Sequence, residues 1–170
     1  MKKALLIIDL QNDYLWEHRK SKFNYDTEKI ISTVNSFIEQ YQYDKHDVIY
    51  IKHIIQNNPI NRKLFGFSIQ GTEGAELYKG LNVVSEYCFE KLLPDAFSSK
   101  KLKAFVKENQ YGTISICGID EGGCVSATAK GAVKNNLSVE MLTAGIATYF
   151  PTAKIEKLRN ELKSKGVKYV

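Results

Sequence analysis

No stretch of the 170-residue chain is long and apolar enough to span a bilayer, so the sequence contains no transmembrane helix. Proline occurs only three times and no tract is compositionally biased, which excludes a proline-rich linker or a low-complexity tail. Cysteine is just as sparse. Cys88, Cys117 and Cys124 are odd in number and lack the close pairing of a metal motif, which argues for reduced thiols in a cytoplasmic protein. Met1-Lys2-Lys3 followed by Ala4 to Ile8 has the outline of a secretion signal. The apolar run is short, stops at Asp9 and lacks a small-residue cleavage site, so it reads as a first buried strand.

Acidic residues are too few to balance the basic ones, and the net charge is +5. The lysines are nevertheless interleaved with Glu and Asp, as from Lys154 to Lys165, which is the pattern of a solvated helix surface. Neither a nucleic-acid nor a membrane partner is expected. With 44% hydrophobic and 25% charged residues, the chain has the balance of a globular protein. Residues 1–170 fit one domain burying roughly two-thirds of its unfolded surface.

The aliphatic run Ala4 to Ile8 suits a strand covered on both faces. Ile30, Ile31, Val34, Phe37 and Ile38 then recur at helical spacing behind a cap at Asp26 or Thr27. A second strand is expected from Asp47 to Ile51, extending through Ile54 and Ile55. Gln56 to Lys79 shows no period and reads as a long functional loop, either covering substrate or making subunit contacts. Val83-Val84 starts a third strand that Tyr87 to Phe89 can continue. Ser98 or Ser99 caps a helix lined by Leu102, Phe105 and Val106. Strand Thr113 to Cys117, helix Cys124 to Val133, strand Leu137 to Leu142, helix Ala153 to Lys165 and strand Val167 to Val170 complete the order. This alternation predicts an α/β fold of three layers, α-β-α, around a mostly parallel, Rossmann-like sheet.

In such sheets ligands bind beyond the carboxyl ends of the strands. Asp9 ends the first strand, Lys91 follows the third, and Cys124 lies at the helix start after the fourth. Each has an ordinary reading when taken alone. An Asp after a strand caps turns, and a Lys in Glu90-Lys91-Leu92-Leu93 is a surface residue. Cys124 differs from Cys88 and Cys117, which read as core filler within apolar strands. It follows Gly122-Gly123 at a helix start, where free N–H groups and the dipole favour a thiolate.

Four segments carry a resemblance over nearly the whole length: Ala4 to Asp13, Gly71 to Leu77, Lys91 with Ala96-Phe97 downstream, and Gly118 to Thr128. In that order they resemble the isochorismatase-like cysteine hydrolases, which include nicotinamidases and N-carbamoylsarcosine amidase. The resemblance implies the isochorismatase-like hydrolase fold and a catalytic triad of Asp9, Lys91 and the nucleophile Cys124. It also implies a cis peptide at Ile119-Asp120 and an oxyanion hole formed by the N–H groups of Asp120 and Cys124. The expected activity is hydrolysis of a C–N bond in a small amide-like substrate through a thioester. The family also commonly forms dimers or tetramers, and a homo-oligomer is expected.

Two alternatives stand beside this reading. One is isochorismatase-type vinyl-ether hydrolysis, which uses no cysteine nucleophile. The other is a catalytically silent small-molecule or nucleotide-binding scaffold whose Gly-containing turn cradles phosphate. Tyr14, Trp16, His53, Phe97, Glu121 and Tyr149 flank strand ends or motifs and are candidate substrate-binding residues, although aromatics at such places also serve as core. Glu121 stands where many members have Thr, and it either meets a cationic substrate or faces solvent. No cofactor and no metal are expected. Nicotinamidases would need an Asp-x-His pair and further histidines after the second strand, whereas this chain has Ile51 and a lone His53.

Overall fold

The computed structural model describes residues 2–170. β1 (Lys2–Ile8) is buried from Ala4 onward on both of its faces, as its unbroken aliphatic run requires. It lies at the centre of a six-stranded sheet of order β3-β2-β1-β4-β5-β6, with β2 (Asp47–His53), β3 (Cys88–Lys91), β4 (Tyr111–Gly118), β5 (Ser138–Ile146) and β6 (Lys168–Tyr169). Every ladder is parallel, so the sheet is more regular than the mostly parallel one expected. The direction of strand order reverses between β1 and β4. A crevice therefore opens beyond their carboxyl ends.

Side-chain alternation along β1 divides the core in two. Ala4, Leu6 and Ile8 pack with Leu102 and Val106 of α4 (Lys100–Glu108), Ala129 and Ala132 of α5 (Ser126–Lys134), and Leu162 of α6 (Thr152–Ser164). Leu5 and Ile7 face the other way, toward Ile30, Val34 and Ile38 of α2 (Thr27–Tyr43) and an aromatic group that includes Tyr14, Phe23 and Tyr25. Tyr14 belongs to the single-turn helix α1 (Asn12–Leu15). Of the two expected caps, Asp26 caps α2 by accepting from Lys29 N–H, and Ser99 caps α4 by accepting from Leu102 N–H.

Three readings of the chain are corrected. Val83 and Val84 are exposed and form no strand. The Tyr50 hydroxyl donates to Asn82 O at 2.7 Å and accepts from Val84 N–H at 3.0 Å, which ties the segment to the sheet by a side chain rather than a ladder. Cys88 is exposed on the edge strand β3 and is not core filler. The segment from Gln56 to Lys79 is not all loop. It holds α3 (Pro59–Leu64), capped by the Asn58 side chain at 2.8 Å from Asn61 N, and a 3₁₀ turn Glu73–Ala75.

Candidate active site

The chain leaves β1 through Asp9 at φ +55°, a left-handed conformation that Asp tolerates better than most residues. This bend turns its side chain into the crevice while its N–H still donates to Ile51 O at 3.0 Å. β4 leaves through Gly118 at φ +116°, where a Cβ would lie 2.2 Å from Ile8 O. Only glycine lets the two strand ends come so close. The Ile119–Asp120 peptide that follows is cis.

Cys124 lies in a π turn, Glu121–Val125, that precedes α5 and is broken at Gly123. The Asp120 side chain holds this turn. Its carboxylate accepts from Gly122 N–H at 2.7 Å, Thr148 Oγ1 at 2.7 Å, Tyr149 N–H at 2.9 Å and the Tyr25 hydroxyl at 3.0 Å. The Asp120 carbonyl accepts from both Gly123 and Val125 N–H at 3.0 Å, whereas the Asp120 N–H has no acceptor among the described residues. The N–H groups of Asp120 and Cys124 thus flank the turn that presents the thiol.

Lys91 closes β3 in register with His53 of β2. Its side chain is fully buried, and Nζ donates to Asp9 Oδ2 at 2.9 Å. Asp9 Oδ1 is buried without a hydrogen-bond partner among the described residues. A carboxylate oxygen of Asp9, a ring nitrogen of His53 and Cys124 Sγ all lie within 4.8 Å of one another. The carboxyl ends of four strands, β1, β2, β3 and β4, therefore bring Asp9, His53, Lys91 and Cys124 to one place.

The charges follow from burial and proximity. Burial pulls the Lys91 ammonium down, but the Asp9 carboxylate and Cys124 outweigh it and leave Lys91 above its ordinary value. Burial and the Asp9 carboxylate push the Cys124 thiol up to about 12, against the pull of Lys91. Desolvation and the Asp9 carboxylate thus work against the thiolate that a helix start and Lys91 favour. Burial, then Lys91, holds His53 below its ordinary value, so its imidazole is neutral near pH 7.

The other candidate residues divide. Tyr14 is buried, with its hydroxyl accepting from Ser68 Oγ at 2.8 Å, and burial followed by Asp9 holds it protonated. Tyr149 is 40% exposed and packs beside Tyr25 and Phe150. Burial, Asp120 and Cys124 raise its hydroxyl, which places it within the field of the thiol. Trp16 stands further out, its ring tilted against that of His18 with centroids 4.0 Å apart, and lines a cavity of about 330 Å³ with Asp13, Phe67 and Gly74.

Phe97 is corrected: it is 3% exposed in the core with α4, and the cavity it reaches lies at the amino ends of β4 and β5, away from the crevice. Glu121 is corrected as well. It neither meets solvent nor points at a substrate, because it is 2% exposed and held by Arg159 of α6 in a two-pronged pair at 2.6 and 2.8 Å. Arg159 gave no signal in the sequence, since a lysine-rich helix hides one inward arginine. Gln11 was also missed. Its buried amide accepts from His53 N–H at 2.8 Å and donates to His53 O at 3.0 Å and Ala75 O at 2.7 Å, fixing β2's end against β1's.

The family model for the isochorismatase domain matches residues 3–167. The chain belongs to the isochorismatase family. An isochorismatase family protein of Bacillus subtilis, YddQ, is 25% identical over 149 residues, covering 87% of this chain and 79% of that protein. A protein of Arabidopsis thaliana described as a probable inactive nicotinamidase is 28% identical over 173 residues, covering 92% and 88%. The pyrazinamidase of Pyrococcus horikoshii, solved in complex with zinc, superposes with a TM-score of 0.80 at 25% identity, covering 100% of this chain and 99% of that one. The three-layer architecture is that of the isochorismatase-like hydrolases.

The zinc in that relative raises the question of whether this family member can hold an ion beside its thiol. Ile51, at the position the acid of an Asp-x-His pair would take, is 1% exposed in the core. His18 packs against Trp16, and His46 packs on Tyr41 before the amino end of β2, so neither joins His53. The donors that do converge are Asp9, His53 and Cys124. An ion on that set would occupy the thiol, so the residues do not fit an ion bound beside a free thiol.

Proposed function

We propose that the chain is a cysteine hydrolase that cleaves the C–N bond of a small amide-like molecule. The observation that carries this reading is the grouping of Cys124 Sγ and the Asp9 carboxylate within 4.8 Å, with one Asp9 oxygen held by buried Lys91 and the other unpartnered. An acceptor without a donor, next to a protonated thiol, is arranged to take that proton. The amide chemistry of the Pyrococcus horikoshii pyrazinamidase supports the same direction.

In the proposed reaction the Asp9 carboxylate takes the Cys124 proton as Sγ attacks the carbonyl carbon. A C–S bond forms, and the oxyanion is met by the N–H groups of Asp120 and Cys124. Asp9 passes the proton to the leaving nitrogen, and the C–N bond breaks to release ammonia or an amine. Water then adds to the thioester, giving one proton to Asp9, and the C–S bond breaks as that proton returns to sulfur. Lys91 donates to Asp9 Oδ2 and fixes its orientation. His53, Tyr14 and Tyr149 border the space where the substrate would lie. Three unpaired thiols suit a cytoplasmic setting.

The test is a panel of small primary amides, carbamoyl compounds and lactams assayed for amine release, with intact-mass detection of an acyl adduct. Hydrolysis that is abolished in Cys124→Ala, with the adduct mapped to Cys124, is the expected result. Release that persists in Cys124→Ala would remove the cysteine mechanism.

A further inference from the structure

We propose that Asp9, His53 and Cys124 also form a binding site for one soft divalent cation, of the zinc or cadmium type, which blocks the enzyme. The block rests on the amide-hydrolysing reading, whereas the binding does not. The site offers one sulfur, one imidazole nitrogen and one carboxylate oxygen from three different elements, all within 4.8 Å of one another. Ligands at roughly 2.0–2.3 Å from a tetrahedral ion lie about 3.3–3.8 Å apart, so a contraction of about 1 Å suffices, within reach of small side-chain rotations. Thiolate with imidazole selects soft or borderline ions over magnesium or calcium.

A second, independent observation points to a ligand. Asp9 is 2% exposed, and its Oδ1 is buried without a hydrogen-bond donor among the described residues, although Oδ2 is satisfied by Lys91. Buried carboxylate oxygens in folded proteins are normally paired or bound to an ion. Coordination of Sγ replaces the thiol proton, which leaves to solvent, so each ion bound releases one proton. Asp9 and Cys124 thiolate then offset the charges of Lys91 and, in part, of the ion. A fourth position stays open to water.

The test is an anaerobic titration of the purified full-length chain with cobalt(II), read by thiolate-to-cobalt charge-transfer absorption, followed by displacement with zinc. One equivalent should saturate the signal. Cys124→Ser should abolish it, and His53→Ala should weaken binding at least tenfold. Cys88→Ser should leave it unchanged, since Cys88 is exposed on the far edge strand. Should Cys124→Ser fail to fold, the Cys88→Ser chain alkylated at Cys124, verified by peptide mass, supplies the same comparison. A band that survives loss of Cys124, depends on Cys88, or never forms overturns the proposal. Because the readout is spectroscopic, cobalt binding without any amide turnover would sink the proposed function and leave this site standing.

Discussion

Replacing Lys91 by methionine probes the centre of the site. Methionine keeps most of the side-chain length and apolar volume, so the cavity cost is small and the main loss is the charge. The Asp9 side chain is 4% exposed and has one partner, Lys91 Nζ at 2.9 Å, with its other oxygen already unpaired. Lys91→Met therefore leaves a buried carboxylate with no partner, a change that costs about 3–5 kcal/mol. For a chain of this size that lowers the Tm by roughly 6–20 °C.

The cost depends on pH in a defined direction. In the variant the orphan carboxyl binds its proton more tightly folded than unfolded, where the value is about 3.9. The deficit relative to the native chain is thus absent below about pH 4 and grows as pH rises. In the native chain, Lys91 lies above its ordinary 10.5, so its stabilising contribution is present below that value and fades as pH climbs through the higher folded one. Urea unfolding of Lys91→Met, Asp9→Asn and the double variant at pH 4 and pH 8 measures the coupling. The double variant should recover most of the stability lost at pH 8, although both single variants should lose turnover by orders of magnitude. A Lys91→Met chain within about 1 kcal/mol of native at both pH values would refute the reasoning.

Four further outcomes are expected. Iodoacetamide should label exposed Cys88 readily, leave Cys117 untouched, and react with Cys124 at a rate still rising beyond pH 9, because burial and Asp9 push that thiol to about 12; a plateau below its ordinary 9.0 in a pH–rate series speaks against a protonated resting thiol. Arg159→Leu should cost about 2–3 kcal/mol in chemical denaturation, below the full buried-pair value because the Arg159 side chain is 36% exposed, and Arg159→Lys should recover only part of it because a two-pronged contact is lost. Prolonged chelation should leave amide turnover intact or raise it, with metal analysis finding far less than one ion per chain; an activity abolished by chelation and restored by zinc contradicts the mechanism. Light scattering should find a dimer or larger. Ile60 and Leu64 on α3 and Leu92 and Leu93, all more than half exposed, offer the apolar surface for it, whereas Phe65 and Phe67 pack against each other and toward Tyr14.

The sequence alone determined the α/β class, the strand order along the chain and the three motif residues. Those features are written locally: an aliphatic run for β1, a 3.6-residue period for α2, capping residues before α2 and α4, and glycines at the turn. The edges were less legible. β3 is short and lies at the sheet's margin, so burial imposed no pattern on it, and α3 is a six-residue helix with no buried face to give it a period. What a side chain meets at long range was decided only by the tertiary structure. Glu121 and Arg159 are 38 residues apart and Asp120 and Tyr25 are 95 apart, and nothing local marks either pair. Phe97 next to a catalytic motif reads as a pocket residue until the sheet shows which end it faces. The protonation of Cys124 is of the same kind: a glycine-flanked cysteine before a helix suggests a thiolate, but its titration depends on desolvation and on charges brought from β1 and β3. Proximity in space, and the exclusion of water that comes with it, sets those energies, and neither exists until the strands are assembled.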